Sequence, residues 1–291
     1  MLTLSAEGIL PKADAAIFAD TGWEPQAVYA HLDRIEKEIA GPAGIPVLRV
    51  SSGNIRADAL DPAHHFASMP LHIRNPDGKA GMTRRQCTSE YKIKPIKKKV
   101  RELLGYPYPQ RIPSSVFVEQ WVGISTDEFH RAKDADVKYM RNRHPLIDLG
   151  WSREDCVRHL ASIGLGSTPK SACLGCPFHG NRQWRHIRDT SPAEWDDVVA
   201  FDAEIRKGNA HATASGHALL GEAFLHRSRV PLAQAPIDHV TAAERSQEHR
   251  PQALDDANED EWETGAVDGC SPWACRGDID APDQDDFGLA A

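Results

Sequence analysis

Two cysteines three residues apart, Cys173 and Cys176, are the residues of this chain whose spacing most directly indicates chemistry. They lie in the segment SACLGCPFHG, residues 171–180, in which a proline follows the second cysteine. Pairs with this spacing occur in zinc sites, in iron–sulfur sites and in redox-active thiol pairs. On spacing alone, all three roles, and no role at all, stay open.

The other four cysteines differ in their surroundings. Cys87 lies in the segment RRQCTSEYKIKP, whose positive charges favour the thiolate that both ligation and nucleophilic attack require. Cys270 and Cys275 lie in an acidic segment with few apolar residues, where completing a metal site explains them better than packing does. Cys156 lies on the inner face of a predicted helix, residues 152–163, and is interpreted as a buried structural thiol.

The composition limits the class of protein. The 291 residues are 41% hydrophobic and 26% charged, which is ordinary for a globular chain. The sequence has no positively charged start followed by an apolar run, and no stretch approaches the roughly 20 apolar residues of a membrane span. We therefore predict a cytoplasmic protein with no membrane partner, whose six cysteines are reduced ligands or catalysts rather than disulfides.

Charge is distributed unevenly along the chain, whose net charge is −8. Residues 251–291 hold twelve acidic residues and one basic residue, so the first 250 residues together carry +3. The basic stretch 84–101 contains eight lysines and arginines against one acid. A phosphate-bearing partner fits this stretch, and a solvated helix face beside a disordered acidic tail fits the composition equally well.

Hydrophobic patterning predicts a strand, a helix and a second strand in the N-terminal part of the chain. ADAAIFADTG, residues 13–22, and IPVLRVSS, residues 45–52, are apolar runs of strand length. Between them a helix begins near Pro25 and ends at Gly41. The alternation predicts an α/β fold of the doubly wound, Rossmann-like class, with a parallel sheet, helices on both faces and ligands beyond the carboxyl ends of the strands.

The later segments continue this alternation. The basic stretch 84–101 predicts an amphipathic helix, and residues 115–125 predict a further strand. Capping-box patterns at Ser152 and Ser191 predict helix starts on either side of the cysteine pair. The predicted division is an α/β domain at 1–150, a helical region with the cysteine pair at 151–240 and a flexible acidic tail at 241–291.

A polar segment, VGISTDEFHRAK at residues 122–133, carries Asp127, Glu128 and Arg131 directly after a predicted strand. Ligand binding at the edge of the sheet would use such residues. A capped helix start with surface charges would also use them, and the residues alone favour this second interpretation.

Four ordered segments together resemble one protein family. They are IFADTGWEPQAVY, CTSEYKIKPIKKKVRELLG, VGISTDEFHR, and HPLIDLGWSREDCVRHLASIGL followed by SACLGCPFHGNRQW. Over roughly residues 1–230 the chain resembles the phosphoadenosine phosphosulfate (PAPS) reductase-like proteins of the PP-loop, adenine nucleotide α-hydrolase-like superfamily. The nearest resemblance is to a bacterial and phage branch, related also to the sulfur-inserting ATPases of DNA phosphorothioation.

This resemblance implies a nucleotide site. Asp20, Thr21 and Gly22 match the family's strand end that contacts an adenine nucleotide, which would be ATP or PAPS. Lys92 and Arg131 match the residues that help to hold the anionic groups of the nucleotide.

The resemblance also implies a metal site. Cys87, Cys173 and Cys176 would ligate a [4Fe-4S] cluster, and Cys275 or Cys270 would supply the fourth ligand. Four thiolates are the usual ligands of such clusters, and a proline directly after a ligand cysteine is familiar in them.

Two features depart from the family pattern. The Ser-Gly-Gly-x-x-Ser type of PP-loop, which cradles phosphates through backbone N–H groups, does not precede residues 13–22, and MLTLSAEGILP resembles the second half of the helix that follows it. The expectation is that Met1 is not the native start. The Glu-Cys-Gly-x-His segment of true PAPS reductases is also absent, and DGCSPWACRGD is the nearest match to it, so sulfate reduction itself is not implied.

Two functions of different classes follow from these observations. The first is adenine-nucleotide-dependent transfer of a sulfur or sulfuryl group by a protein that carries an iron–sulfur cluster, with nucleic acid among the candidate acceptors. The second is a zinc-binding module that binds nucleic acid through residues 84–101 and catalyses no reaction. An inactive relative that lacks the phosphate-binding loop is a further alternative.

Overall fold

The computed structural model describes residues 1–65 and 69–240, and the acidic tail predicted at 241–291 lies outside them. Seven strands are described: β1 Ala16–Asp20, β2 Val47–Ser51, β3 His72–Arg74, β4 Ala80–Met82, β5 Val118–Trp121, β6 Met140–Arg143 and β7 Glu222–Phe224. The α-helices are α1 Leu2–Ala6, α2 Gln26–Ile35, α3 Ile55–Leu60, α4 Lys94–Leu103, α5 Pro145–Asp148, α6 Arg153–Ser162, α7 Asn181–Thr190, α8 Pro192–Glu204 and α9 Ala210–Ala214.

The strands form three small sheets. β1 and β2 pair in parallel, from Ala16 opposite Val47 to Asp20 opposite Ser51, and β5 and β6 form a second parallel pair. The third sheet is antiparallel, in the order β4-β3-β7. The mixed α/β class is therefore confirmed. In the described residues the parallel strands do not join into one doubly wound sheet, so the Rossmann-like classification stays a prediction.

The predicted strand–helix–strand unit is present as β1, α2 and β2. A π-helical turn, Glu36–Ala40, continues α2 toward β2. Another such turn, Ser89–Ile93, precedes α4, so the helix predicted from the basic stretch runs from Ser89 to Leu103. Its apolar face, Ile96 and Val100, packs against residues of both parallel sheets. The basic stretch thus contributes a core face through Ile96 and Val100, whereas Lys94 and Lys98 are exposed.

The largest hydrophobic cluster spans the boundary predicted at residue 150. It joins Trp23, which follows β1, to Trp184 of α7, Phe201 of α8 and Leu225, which follows β7. The rings of Trp23 and Phe201 meet edge to face with 4.7 Å between their centroids. The turn after β1 is therefore packed directly on the helices that follow the cysteine pair.

The two predicted capping boxes have different outcomes. At Ser152 the side chain accepts the N–H of Asp155, and the carboxylate of Asp155 accepts the N–H of Ser152, as predicted. At Ser191 the prediction is wrong, since the side chain of Ser191 makes no cap hydrogen bond, although α8 does begin at Pro192. The carboxylate of Glu194 instead accepts the N–H of Gln26 at 2.7 Å.

Within the described residues, no helix has both the length and the apolar character needed to cross a membrane.

Candidate functional site

The turn after β1 shapes one side of the candidate site. One carboxylate oxygen of Asp20 accepts the N–H of Gly22 and the hydroxyl of Tyr29, both at 2.8 Å. Gly22 has φ +72°, and a Cβ there would lie 2.9 Å from the Cα of Asn54, so both the backbone and the space require glycine. Asp20 and Gly22 therefore build the turn that presents Thr21.

Thr21 links this turn to the cysteine pair. It is 1% exposed, and its hydroxyl donates to Oε1 of the buried Glu24 at 3.1 Å. The thiol of Cys173 donates to the same hydroxyl oxygen at 3.3 Å. The three side chains thus form a chain of hydrogen bonds that leads from the thiol to a carboxylate.

The Cys173–Cys176 loop is fixed by backbone hydrogen bonds. The N–H of Leu174 donates to the carbonyl of Trp23 at 2.7 Å, and the N–H of Cys176 donates to the carbonyl of Cys173 at 3.0 Å. Gly175 lies against the indole of Trp23, where an added Cβ would come within 2.2 Å of a ring carbon. A tight, glycine-dependent contact therefore seats the loop on the first strand's turn.

His179 supports the same loop from within. Its ring Nε2 lies 3.0 Å from the carbonyl oxygen of Cys173, and its ring meets Trp184 edge to face. Its backbone N–H donates to the carbonyl of Cys176. Burial lowers the pKa of His179 to about 3, so the ring is neutral at physiological pH. The sequence analysis missed both His179 and Trp23. Their positions, three residues after Cys176 and directly after Gly22, were the available signals.

Cys87 reaches the site from a different part of the chain. It lies in the helical turn that leads into the π-helical turn Ser89–Ile93, and Tyr91 in that turn is buried. The hydroxyl of Tyr91 donates to a carboxylate oxygen of Asp58 in α3 at 2.8 Å, which ties the start of the helix to its neighbour.

A small cavity of about 30 Å³ brings these segments together, and we call it the cysteine cavity. Its walls include Cys87, Cys173 and Cys176 together with Thr21 and Lys92. The remaining lining residues are Ile55, Met69, Pro70, Arg85, Thr88, Pro177 and Phe178. Five of the residues singled out from the sequence therefore surround one space, and their ligand-binding roles stay predictions.

Arg131 is placed differently. Its side chain is buried and forms an ion pair with Glu128 in the 3₁₀ helix Thr126–Arg131. It is not among the described residues that line the cysteine cavity. In the same segment Asp127 accepts the N–H of Arg153 at 2.6 Å, at the start of α6. These local contacts favour a structural role for this segment over contact with a nucleotide.

The environment of Cys173 keeps its thiol protonated. Burial raises the pKa of Cys173 far above its usual value, the negative charge of Glu24 raises it further, and Lys92 and the hydrogen bond with Thr21 oppose the shift. Binding of a metal by Cys173 would release this proton, because thiolate is the ligating form.

Three cysteine thiols around one cavity are a suitable donor set for zinc or for an iron–sulfur cluster. In the part of the chain that the structure describes, however, no group of three or more His, Cys, Asp or Glu side chains is already arranged to hold a metal ion. Cys270 and Cys275, the predicted sources of a fourth ligand, lie outside the described residues. The donor chemistry fits the implied cluster, but the cavity of about 30 Å³ has room for about one water molecule, so cluster binding would require its walls to move apart.

No family model, curated protein or solved structure matches this chain. The resemblance to PAPS reductase-like proteins therefore depends on the sequence segments alone.

Two further histidines, His72 and His226, hydrogen-bond residues that follow the cysteine pair. His72 Nε2 lies 3.1 Å from the carbonyl oxygen of Pro177. His226 accepts the N–H of Ser228 on Nδ1, so its Nε2 carries the proton and donates to the amide oxygen of Asn181 at 2.9 Å. Asn181 begins α7, directly after the cysteine loop. His226 must be neutral for this pattern, and burial lowers its pKa to about 4.

Acidification is expected to destabilise the protein through His226. Its pKa is about 4 when folded and about 6.5 when unfolded, so between these values the unfolded chain binds more protons and stability falls as pH falls. Urea unfolding at about pH 7.5 and about pH 5 should show that His226→Gln removes a loss on the order of 2 kcal/mol. The control His217→Gln, at an exposed position, should retain that loss. Equal pH dependence of the two variants would contradict the assignment.

Proposed function

We propose that the chain performs adenine-nucleotide-dependent sulfur or sulfuryl-group chemistry at the cysteine cavity, with a [4Fe-4S] cluster held by Cys87, Cys173 and Cys176. The observation that supports this most strongly is the shared cavity, because it joins thiols from two segments far apart in the chain. The cavity also adjoins the turn after β1, and carboxyl ends of parallel strands are common ligand sites.

Residues of the cavity would act in two ways, by attracting an anionic group and by accepting the proton of Cys173. Lys92 and Arg85 contribute positive charge that would attract an anionic sulfate or phosphate group, and the guanidinium of Arg85 is braced over the ring of Phe178 at 4.9 Å. Thr21 and Glu24 form the route by which Cys173 would lose its proton, with Glu24 Oε1 as the acceptor. When bound, the cluster would supply one-electron transfer.

Of Asp20, Thr21 and Gly22, the three residues matched to a nucleotide site, only Thr21 is placed to contact a ligand in the cavity. Asp20 and Gly22 are engaged in forming the turn, whereas Thr21 lines the cavity itself. We therefore propose that the nucleotide, ATP or PAPS, binds beside Thr21 and Lys92 once the walls of the cavity move apart, because about 30 Å³ is far below the roughly 300–1,000 Å³ of small-molecule sites. Arg131 would make no direct contact.

The metal content of the full chain tests this proposal. Protein purified without oxygen should be brown and should contain about four iron and about four acid-labile sulfide atoms per chain. A colourless protein with one zinc atom per chain and no sulfide would overturn the cluster.

The zinc-bound, nucleic-acid-binding module is the second candidate. The same three thiols suit zinc, and the helix of the basic stretch lines a large open groove whose walls include Lys94, Lys98 and Arg101. Iron and sulfide analysis separates the two candidates directly, since zinc forms no sulfide-bridged cluster in such a site.

A further inference from the structure

A second and much larger space, which we call the basic groove, lies beside the helix that carries Tyr91 and α4. Its volume is about 1330 Å³. Five parts of the chain form its walls: the end of β2, His65, the helix from Glu90 to Glu102, the loop at 107–112 and the loop at 136–139. Its size exceeds the range of about 300–1,000 Å³ that is usual for small-molecule sites. The groove can therefore hold a ligand longer than one nucleotide.

The walls of this groove carry an excess of positive charge although the whole chain is acidic. Three carboxylates in the lining, Glu90, Glu102 and Asp136, each pair with a lysine at 2.7–3.1 Å. The cations of the lining are Lys94, Lys97, Lys98, Lys99, Arg101, Arg111 and Lys138. The lining therefore has four more positive than negative side chains.

Three of these cations are exposed and available to a ligand. Lys98, Arg111 and Lys138 form no ion pair with any described residue. They come from α4 and from both wall loops, so their charges are spread along the groove. A spread of this kind suits a chain of phosphates better than a single anionic group.

Aromatic rings accompany these charges. Tyr108, in the first wall loop, is 66% exposed, so its ring is accessible to a stacking partner. Tyr139, in the second loop, lies below the guanidinium of Arg101 with 5.6 Å to its ring centroid. Rings beside a basic track are the arrangement by which proteins stack the bases of single strands without reading sequence.

We infer that the basic groove binds single-stranded nucleic acid, with phosphates on Lys98, Arg111 and Lys138 and a base stacked on Tyr108. A duplex keeps its base faces covered, so it cannot use Tyr108 in this way. A mononucleotide would leave most of the groove empty. This inference stands apart from the metal site, because the groove contains none of the three cysteines.

Fluorescence anisotropy with the full chain tests the inference. The probes are a labelled DNA strand and a labelled RNA strand of about 12 nucleotides, and a duplex of the same sequence. Either or both single strands should bind about tenfold or more tightly than the duplex. A duplex that binds as tightly as the single strands, or single strands that do not bind, would overturn the inference.

Two sets of variants locate the binding to the groove. The triple variant Lys98→Gln, Arg111→Gln and Lys138→Gln should make the slope of log binding constant against log salt concentration shallower by about 2. Each lost phosphate contact accounts for about 0.7 of that slope. A charge-matched triple variant at exposed positions outside the groove lining, Lys12→Gln, Lys133→Gln and Lys207→Gln, should leave it unchanged. Equal effects of the two triple variants would contradict the placement of the ligand.

Tyr108→Ala separates stacking from charge. It should weaken binding of single strands about 5- to 100-fold and leave the salt dependence unchanged. Because the ring is largely exposed, this change should not disturb folding, which the melting temperature checks. Unchanged affinity in this variant would remove base stacking from the inference.

Discussion

Replacing Gly175 with alanine is expected to lower the free energy of unfolding by about 3 kcal/mol, because the new methyl group has no room. Its carbon would lie 2.2 Å and 2.4 Å from two ring carbons of Trp23. The ring cannot easily move away, since its Nε1 donates to Asp197 at 2.8 Å and its edge packs against Phe201. Urea unfolding measures the effect.

Gly166 provides the matched control for this experiment. A Cβ at Gly166 would meet Ala161 at 3.4 Å, which is an ordinary contact, so Gly166→Ala should change stability little. Gly175→Ala should cost less in a Trp23→Phe background than in the unmodified protein, because a smaller ring relieves the clash. If Gly175→Ala is as stable as Gly166→Ala, the loop does not pack on Trp23 as described.

The local elements were largely predictable from the sequence. Apolar runs ending at turns predicted β1 and β2, and helical spacing of Ile96 and Val100 predicted the helix that contains α4. The order of the strands was not predictable in this way. Pairing depends on contacts between distant segments, and in the described residues the parallel strands form two pairs.

In the candidate site too, local patterns were predictable from the sequence and contacts between distant segments were not. Cysteine spacing predicted the loop of Cys173 and Cys176, but their position beside Cys87 was expected only from the resemblance. The seating of Gly175 on Trp23 joins residues about 150 positions apart, and no local pattern reports such a contact. In the same way, Glu194 matched a capping pattern, yet its carboxylate bonds the distant backbone of Gln26.

The basic groove gives the clearest case of partial prediction. The basic stretch indicated a phosphate-bearing partner, and its apolar spacing indicated a helix. Two of the exposed cations, Arg111 and Lys138, come from loops that carry no motif. Only the folded chain brings them beside Lys98.

The second large effect is expected from the cysteines. Cys87→Ser, Cys173→Ser and Cys176→Ser should each lose most of the bound iron, because a hydroxyl replaces a thiolate ligand at the cysteine cavity. Cys156→Ser should keep it. Cys156 packs instead against the buried cluster of Leu4, Leu10 and Leu146, and burial raises the pKa of its thiol.

Folding must be checked alongside metal content. Each serine variant should keep the far-ultraviolet circular dichroism of the unmodified protein, so that a loss of iron reports the site and not unfolding. Cys173→Ser is the mildest change in this respect, because a serine hydroxyl can still donate to Thr21.

A cluster at the cysteine cavity is tested most directly by the number of iron atoms per chain in Cys176→Ser and in Cys156→Ser, prepared side by side without oxygen. We expect fewer than about one iron atom per chain in the first and about four in the second. Equal iron content in the two variants, or an unmodified chain that binds no iron, would contradict a cluster at the cysteine cavity.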